Sequence, residues 1–132
     1  MRVTSVQHVS ICTGEGGLDE LVAFYRDVLG LPDLVRPDIP GLGGHWFALG
    51  DRQLHLVDDP RPATARGIDP TGPHFCVEVD DLDAAVAELD DLGIDHLRAT
   101  QTRPVTGDEV VQIWIADPAG NTIELQQGEP AP

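Results

Sequence analysis

The chain has 132 residues, 41% hydrophobic and 23% charged, which suits one ordinary core or two small ones and excludes fibrous, coiled-coil and disordered classes. Its basic side chains are eight arginines and no lysine, set against 23 Asp and Glu. The net charge of −15 repels phosphate backbones and anionic bilayers, so no nucleic-acid or membrane partner is expected. No run approaches the roughly 18 apolar residues of a membrane span, and Met1-Arg2-Val3-Thr4 lacks the apolar core of a signal peptide, so a cytoplasmic protein is expected. Cys12 and Cys76 are too few for a disulfide framework and are expected as thiols.

In chain order, Val6 to Cys12 alternates as a strand and is followed by a Gly-rich turn at Gly14, Gly16 and Gly17. A helix is predicted from about Leu18 to Leu29, with Gly30 placed to close it. A short strand is predicted near Leu34-Val35-Arg36. Trp46 to Leu49, a turn at Gly50-Asp51, and Gln53 to Val57 then read as a hairpin. Asp58 to Pro73 holds four prolines and two glycines and reads as irregular linker.

The order then repeats. His74 to Val79 reads as a strand, Asp80 and Asp81 suit a helix N-terminus, and a helix is predicted from about Leu82 to Leu92, closed by Gly93. A short strand near His96-Leu97-Arg98 precedes a second hairpin, Val110 to Ala116 and Thr122 to Gln126, joined by the turn sequence Asp117-Pro118-Ala119-Gly120-Asn121. Leu29-Gly30-Leu31 and Leu92-Gly93-Ile94 occupy matching places, as do His8 and His74. Two βαβββ modules of one α+β fold are therefore predicted, residues 1–58 and 74–132, joined by a linker over 59–73.

Strand phase singles out four side chains. Val9 and Ile11 oppose His8; Phe75 and Val77 oppose His74; Leu54 and Leu56 oppose His55; Ile123 and Leu125 oppose Glu124. Each residue of this set stands on the face turned away from the helices, at places the repeat makes equivalent. Three imidazoles and a carboxylate on one face must be wet or satisfied by a ligand. Their chemistry suits a divalent ion such as Zn, Ni, Co, Fe or Mn with positions left open for a small-molecule substrate.

The segments Gln7-His8-Val9-Ser10, Ala23-Phe24-Tyr25-Arg26-Asp27-Val28-Leu29-Gly30-Leu31, Gln53-Leu54-His55-Leu56, Pro73-His74-Phe75 and Asp117-Pro118-Ala119-Gly120-Asn121-Thr122-Ile123-Glu124-Leu125 resemble the vicinal oxygen chelate superfamily. That superfamily includes glyoxalase I, methylmalonyl-CoA epimerase, extradiol dioxygenases and the fosfomycin and bleomycin resistance proteins. The resemblance covers nearly the whole chain. It implies a U-shaped mixed sheet built from the paired modules around a metal held by His8, His55, His74 and Glu124, and commonly a homodimer. It also implies an enzyme of the glyoxalase lyase or isomerase type, in which the metal, as a Lewis acid, stabilises an anion on a substrate chelated through adjacent oxygens. Glyoxalase I typically carries Glu where this chain has His55, and epimerase relatives use a Glu near the third strand, where His45 is the only titratable base. Glu124 and His45 are accordingly the candidate proton-transfer residues. Two alternatives follow from the same family: an Fe(II) dioxygenase using His8, His74 and Glu124 as a facial triad, and a binding protein that sequesters a drug or metabolite without turnover.

Other residues have plainer readings. His96, just past a helix, complements the dipole. Cys12 and Cys76 read as small residues lining the ligand face, and Glu78 lies about 13 Å along the strand from His74, too far to share its ion. Trp46, Phe47 and Trp114 can line a pocket or pack in a core. Arg36, Arg52 and Arg103 can hold a substrate carboxylate or phosphate, or be solvated.

Overall fold

The structure, a computed structural model, describes residues 1–61 and 67–128. It comprises two compact units, Met1–Ala63 and Thr64–Pro132. The first holds β1 (His8–Cys12), α1 (Leu18–Ala23), β2 (Asp33–Leu34), β3 (Gly44–Leu49) and β4 (Arg52–Val57). The second holds β5 (His74–Val79), α2 (Leu82–Asp91), β6 (Leu97–Thr102), β7 (Glu109–Ala116) and β8 (Thr122–Gln127). The four-stranded sheets have orders β1-β4-β3-β2 and β5-β8-β7-β6. In each, the first strand pairs parallel with the last and the remaining pairs are antiparallel. This is the predicted α+β fold of two βαβββ modules. Among the described residues no helix is long and apolar enough to cross a membrane.

One face of each sheet is dry. In the first unit, Phe47, Leu54 and Leu56 are buried with Leu21 and Tyr25 of the helical segment. In the second, Ile113, Ile115, Ile123 and Leu125 are buried, as are Leu82 and Leu89 of α2. These are the apolar phases of the alternating strands, so each sheet is pinned in register by the cost of turning that phase to water.

The helices differ. Asp81 caps α2 by accepting a hydrogen bond from the Ala84 amide at 2.9 Å, and the helix ends as a Schellman motif. There the Ile94 amide donates to the Leu89 carbonyl, the Gly93 amide donates to the Asp90 carbonyl, and Gly93 has φ 67°. The single helix predicted over Leu18 to Leu29 is revised: α1 ends at Ala23, and Phe24–Val28 form a wider π-helical turn. Its closing bond runs from the Leu31 amide to the Tyr25 carbonyl, and Tyr25 is fully buried 6.4 Å from the Phe47 ring. No Pro or Gly breaks Leu18 to Leu29, so the sequence carries no local signal for the widening. β6 is longer than predicted and exposed along its whole length, because pairing with β7 extends it to Thr102.

Leu125 stands opposite Ile113, and both are buried. Leu125→Ala is expected to cost about 2–5 kcal/mol through lost transfer energy and a residual cavity. Urea unfolding checks it: the midpoint should fall with little change in slope.

Candidate functional site

The faces opposite the two cores carry equivalent clusters. On β1 and β4, Ser10 stands beside His55, so His8 is two residues from it on the same face; across β3, Trp46 stands opposite His55. On β5 and β8, Cys76 stands beside Glu124, with His74 two residues away, and Trp114 stands opposite on β7. His8, Trp46 and His55 therefore repeat as His74, Trp114 and Glu124.

In the first unit the rings stack across three strands. His55 lies 3.9 Å from Trp46 at 3° and 4.2 Å from His8 at 17°. Its Nε2 is 2.8 Å from the Gln53 Oε1, a carboxamide that serves either tautomer by turning over. The His8 Nδ1 meets the Gln7 side chain. Burial, then the neighbouring His8 and Arg36, hold the His55 pKa below its ordinary value, which favours the neutral ring that a metal requires.

In the second unit the carboxylate is buried and its imidazole neighbour is partly exposed. Glu124 is 4% exposed, and its Oε1 accepts hydrogen bonds from the Gln112 and Gln126 side-chain amides, each at 2.7 Å. Its Oε2 lies 3.4 Å from His74 Nε2. The other ring nitrogen, Nδ1, is 2.9 Å from the Gly72 carbonyl. A carbonyl only accepts, so Nδ1 bears the proton, and in the neutral ring Nε2 turns a lone pair towards a carboxylate oxygen. Two electron pairs facing each other at that distance call for a proton or a cation. Two donors about 2.1 Å from one ion are themselves roughly 3.0–3.4 Å apart, so this pair fits a divalent metal.

Loop chemistry sets that His74 geometry. Asp69 Oδ1 accepts from the Thr71 amide, the Thr71 hydroxyl and the Gly72 amide, and the Asp69 amide donates to the buried Thr122 hydroxyl at 2.9 Å. The chain is thereby folded so that the Gly72 carbonyl meets His74. The later turn is organised by Asp117, whose Oδ1 accepts from the Ala119 and Asn121 amides.

The four predicted ligands fall two to each unit. Among the described residues, no group of three or more His, Cys, Asp or Glu side chains is gathered closely enough to hold a metal ion. His45 is on the other face, opposite Leu56, where its Nε2 lies 2.6 Å from Asp33 Oδ1 and its ring 4.6 Å from Phe47. Arg26 Nη2 shares that Asp33 oxygen at 2.7 Å. Burial pushes the Cys76 thiol up to about 11, with Glu124 and Glu78 adding to it, so it stays protonated. His96 pairs with Asp90 at 2.8 Å just past α2.

Two contributors are not singled out by the sequence, and a third, Trp114, reads there only as lining a pocket or packing in a core. Gln112 and Gln126 share the phase of Glu124, which was the available signal. Trp114 is 6% exposed and its indole N–H is buried without a hydrogen-bond partner, a donor left open beside the His74 ring 4.8 Å away. Nothing short of the structure shows that.

Residues 5–125 match the model of the glyoxalase/bleomycin resistance protein/dioxygenase superfamily. The chain belongs to that superfamily. It is 29% identical over 128 residues to glyoxylase I 4 of Arabidopsis thaliana, spanning 95% of this chain and 71% of the relative. Among solved structures it is similar to a glyoxalase-family protein of Bacillus anthracis, with 26% identity, TM-score 0.77 and coverage of 98% and 100% of the two chains. It is similar also to lactoylglutathione lyase of Agrobacterium tumefaciens, with 26% identity, TM-score 0.67 and coverage of 97% and 96%. Superfamily members bind divalent metals; a fosfomycin resistance protein of Listeria monocytogenes, alike in fold at 14% identity, was solved with Mn(II).

The His55 shift fixes the sign of a pH effect in metal-free protein. Unfolding restores the ordinary value of 6.5, so the unfolded chain takes up more protons and stability falls as pH drops below about 6.5. The His55 imidazole resonances should titrate below 6.5, and His55→Gln should flatten the loss of stability between pH 7 and pH 5. A titration midpoint above 6.5 contradicts the assignment.

Proposed function

We propose that this chain is a divalent-metal-dependent enzyme of the glyoxalase and epimerase type, acting on a small substrate bound through two adjacent oxygens. The observation that carries the reading is the lone-pair-to-lone-pair approach of His74 to the buried Glu124, with His8 and His55 at the repeat-equivalent positions. His8, His55, His74 and Glu124 would hold the ion, one of Zn, Ni, Co, Fe or Mn. When bound, the ion supplies Lewis acidity to substrate oxygens that gain negative charge.

The remaining work falls to side chains. Glu124 Oε1 is held by two amide donors, so it is Oε2, loosened from the ion, that would accept a substrate proton adjacent to a carbonyl and return it on the neighbouring carbon. His45, on the other face and paired with Asp33, is given no step. The Gly72 carbonyl keeps the His74 ring in the tautomer whose Nε2 is free. By the family resemblance the working assembly is a homodimer, which light scattering tests.

A second reading has its own support. The His55 ring is held between Trp46 and His8 with Nε2 against Gln53, so His8, His74 and Glu124 can serve as a facial triad with His55 outside it. That is the donor set of a non-haem Fe(II) dioxygenase.

Elemental analysis of protein purified without chelators should find about one divalent ion per chain in wild type and loss of it in His74→Ala. Methylglyoxal with a thiol, and a catechol panel after anaerobic Fe(II) loading, then separate isomerisation from oxygen uptake. A wild-type protein that neither contains nor takes up metal overturns both readings and leaves a non-catalytic binder.

Asp69→Ala, which frees the Gly72 carbonyl without touching a ligand, should weaken metal affinity about 10–100-fold while the circular dichroism is unchanged. Competition against a metallochromic chelator reads this directly, and an unaltered affinity would remove Asp69 from the support of His74.

A further inference from the structure

Arg36 follows β2 and is held by backbone: its Nη2 donates to the Leu42 carbonyl at 2.6 Å and its Nη1 lies 3.5 Å from the Pro37 carbonyl. The guanidinium is placed over a particular spot. A Cβ added to Gly44 would lie 3.1 Å from the Arg36 Nε. Gly44 stands opposite Val57, on the face that carries Trp46 and His55, and two residues before Trp46, roughly 7 Å along the strand. The missing side chain at Gly44 is what admits the guanidinium to that face.

Among the described residues its charge has no carboxylate counterpart. Arg26, Arg52 and Arg61 each reach a carboxylate, at 2.7, 3.7 and 3.0 Å. Among the described residues Arg36 reaches none, nor do the exposed Arg2, Arg98 and Arg103, but Arg36 alone of these is partly buried and held by backbone carbonyls. A guanidinium has five N–H groups, and the two carbonyls engage only two. What remains is a pre-positioned fork, fixed by neutral acceptors beside the His8, His55 and Trp46 stack, with its charge unspent. Such a fork matches a carboxylate.

We propose that Arg36 is a specificity-determining residue that binds a carboxylate of the substrate remote from its two chelating oxygens. The substrate class is then a small 2-hydroxy or 2-oxo acid with a second carboxylate. This rests on the metal-chelate reading above for the position of the adjacent oxygens, but the arginine's part can be tested apart from it.

Lactate offers an adjacent oxygen pair alone, 2-hydroxyglutarate offers the pair and a distal carboxylate, and glutarate offers carboxylates without the pair. Titration calorimetry of metal-loaded wild type should show 2-hydroxyglutarate binding about 10- to 100-fold tighter than lactate. Arg36→Gln should erase that preference while lactate affinity, metal content and melting temperature stay as in wild type, and Arg36→Lys should keep part of it. In metal-free protein, glutarate should bind wild type about tenfold tighter than Arg36→Gln. Equal preference in wild type and Arg36→Gln, or no preference in wild type, with lactate binding intact overturns the proposal. Loss of lactate binding in wild type with the glutarate difference intact supports the arginine and overturns the chelate reading.

Discussion

The constraint on which the rest depends is the parallel pairing of the first and last strand in each unit. Parallel neighbours need a crossover, and here the crossover carries a helix that covers one face of the sheet and leaves the other free. That pairing sets residues far apart in sequence, His8 with His55 and His74 with Glu124, on one uncovered face at the same stagger. A slip of one residue in β4 or β8 would turn His55 or Glu124 into the core and Leu54 or Ile123 out of it. The apolar phase and the polar phase therefore hold each other in place, and the chemistry is positioned by the same burial that stabilises the sheet.

On the uncovered face of the second unit Glu124 and Trp114 are nonetheless buried, while His74 stays partly open to solvent. Burying a carboxylate alone is expensive, and Glu124 is offset by two glutamine amides on one oxygen. The other oxygen, the His74 lone pair and the Trp114 N–H are left with demands that the surrounding side chains do not meet. Unmet demands of that kind cost stability, and they are concentrated on one face beside one another. A folded chain that carries such a concentration is arranged around something it binds.

How much of this was legible in the sequence follows from which signals are local. Alternation is local, so β1, β4, β5 and β8 and the faces of His8, His55, His74 and Glu124 could be read directly. The repeat supplied the equivalence of His8 and His74, and Asp117-Pro118-Ala119-Gly120-Asn121 announced a turn whose buried Asp117 organises it. The π-helical turn at Phe24–Val28 left no mark, because the fit of Tyr25 beside Phe47 is a tertiary matter. His45 stands out in the sequence as the only titratable base near the third strand, yet it lies one step along β3 from Trp46 and so on the other face, and the Asp33 that engages it comes from β2. The tautomer of His74 depends on a carbonyl positioned by Asp69, a contact that no periodicity encodes.

The two units do not contribute alike, and the asymmetry has an electrostatic meaning. The first offers two imidazoles in surroundings that keep one of them neutral; the second offers an imidazole and a carboxylate. A divalent ion held by three neutral rings and a single carboxylate would keep a net positive charge, and so retain the Lewis acidity that extra carboxylates would quench. The chain as a whole is strongly acidic, and an anionic substrate approaching it meets repulsion at long range that salt screens within about 8–10 Å. Inside that distance the local charges decide. An ion of residual positive charge and the Arg36 guanidinium, which meets no carboxylate among the described residues, would then favour an anion at this face against an acidic exterior.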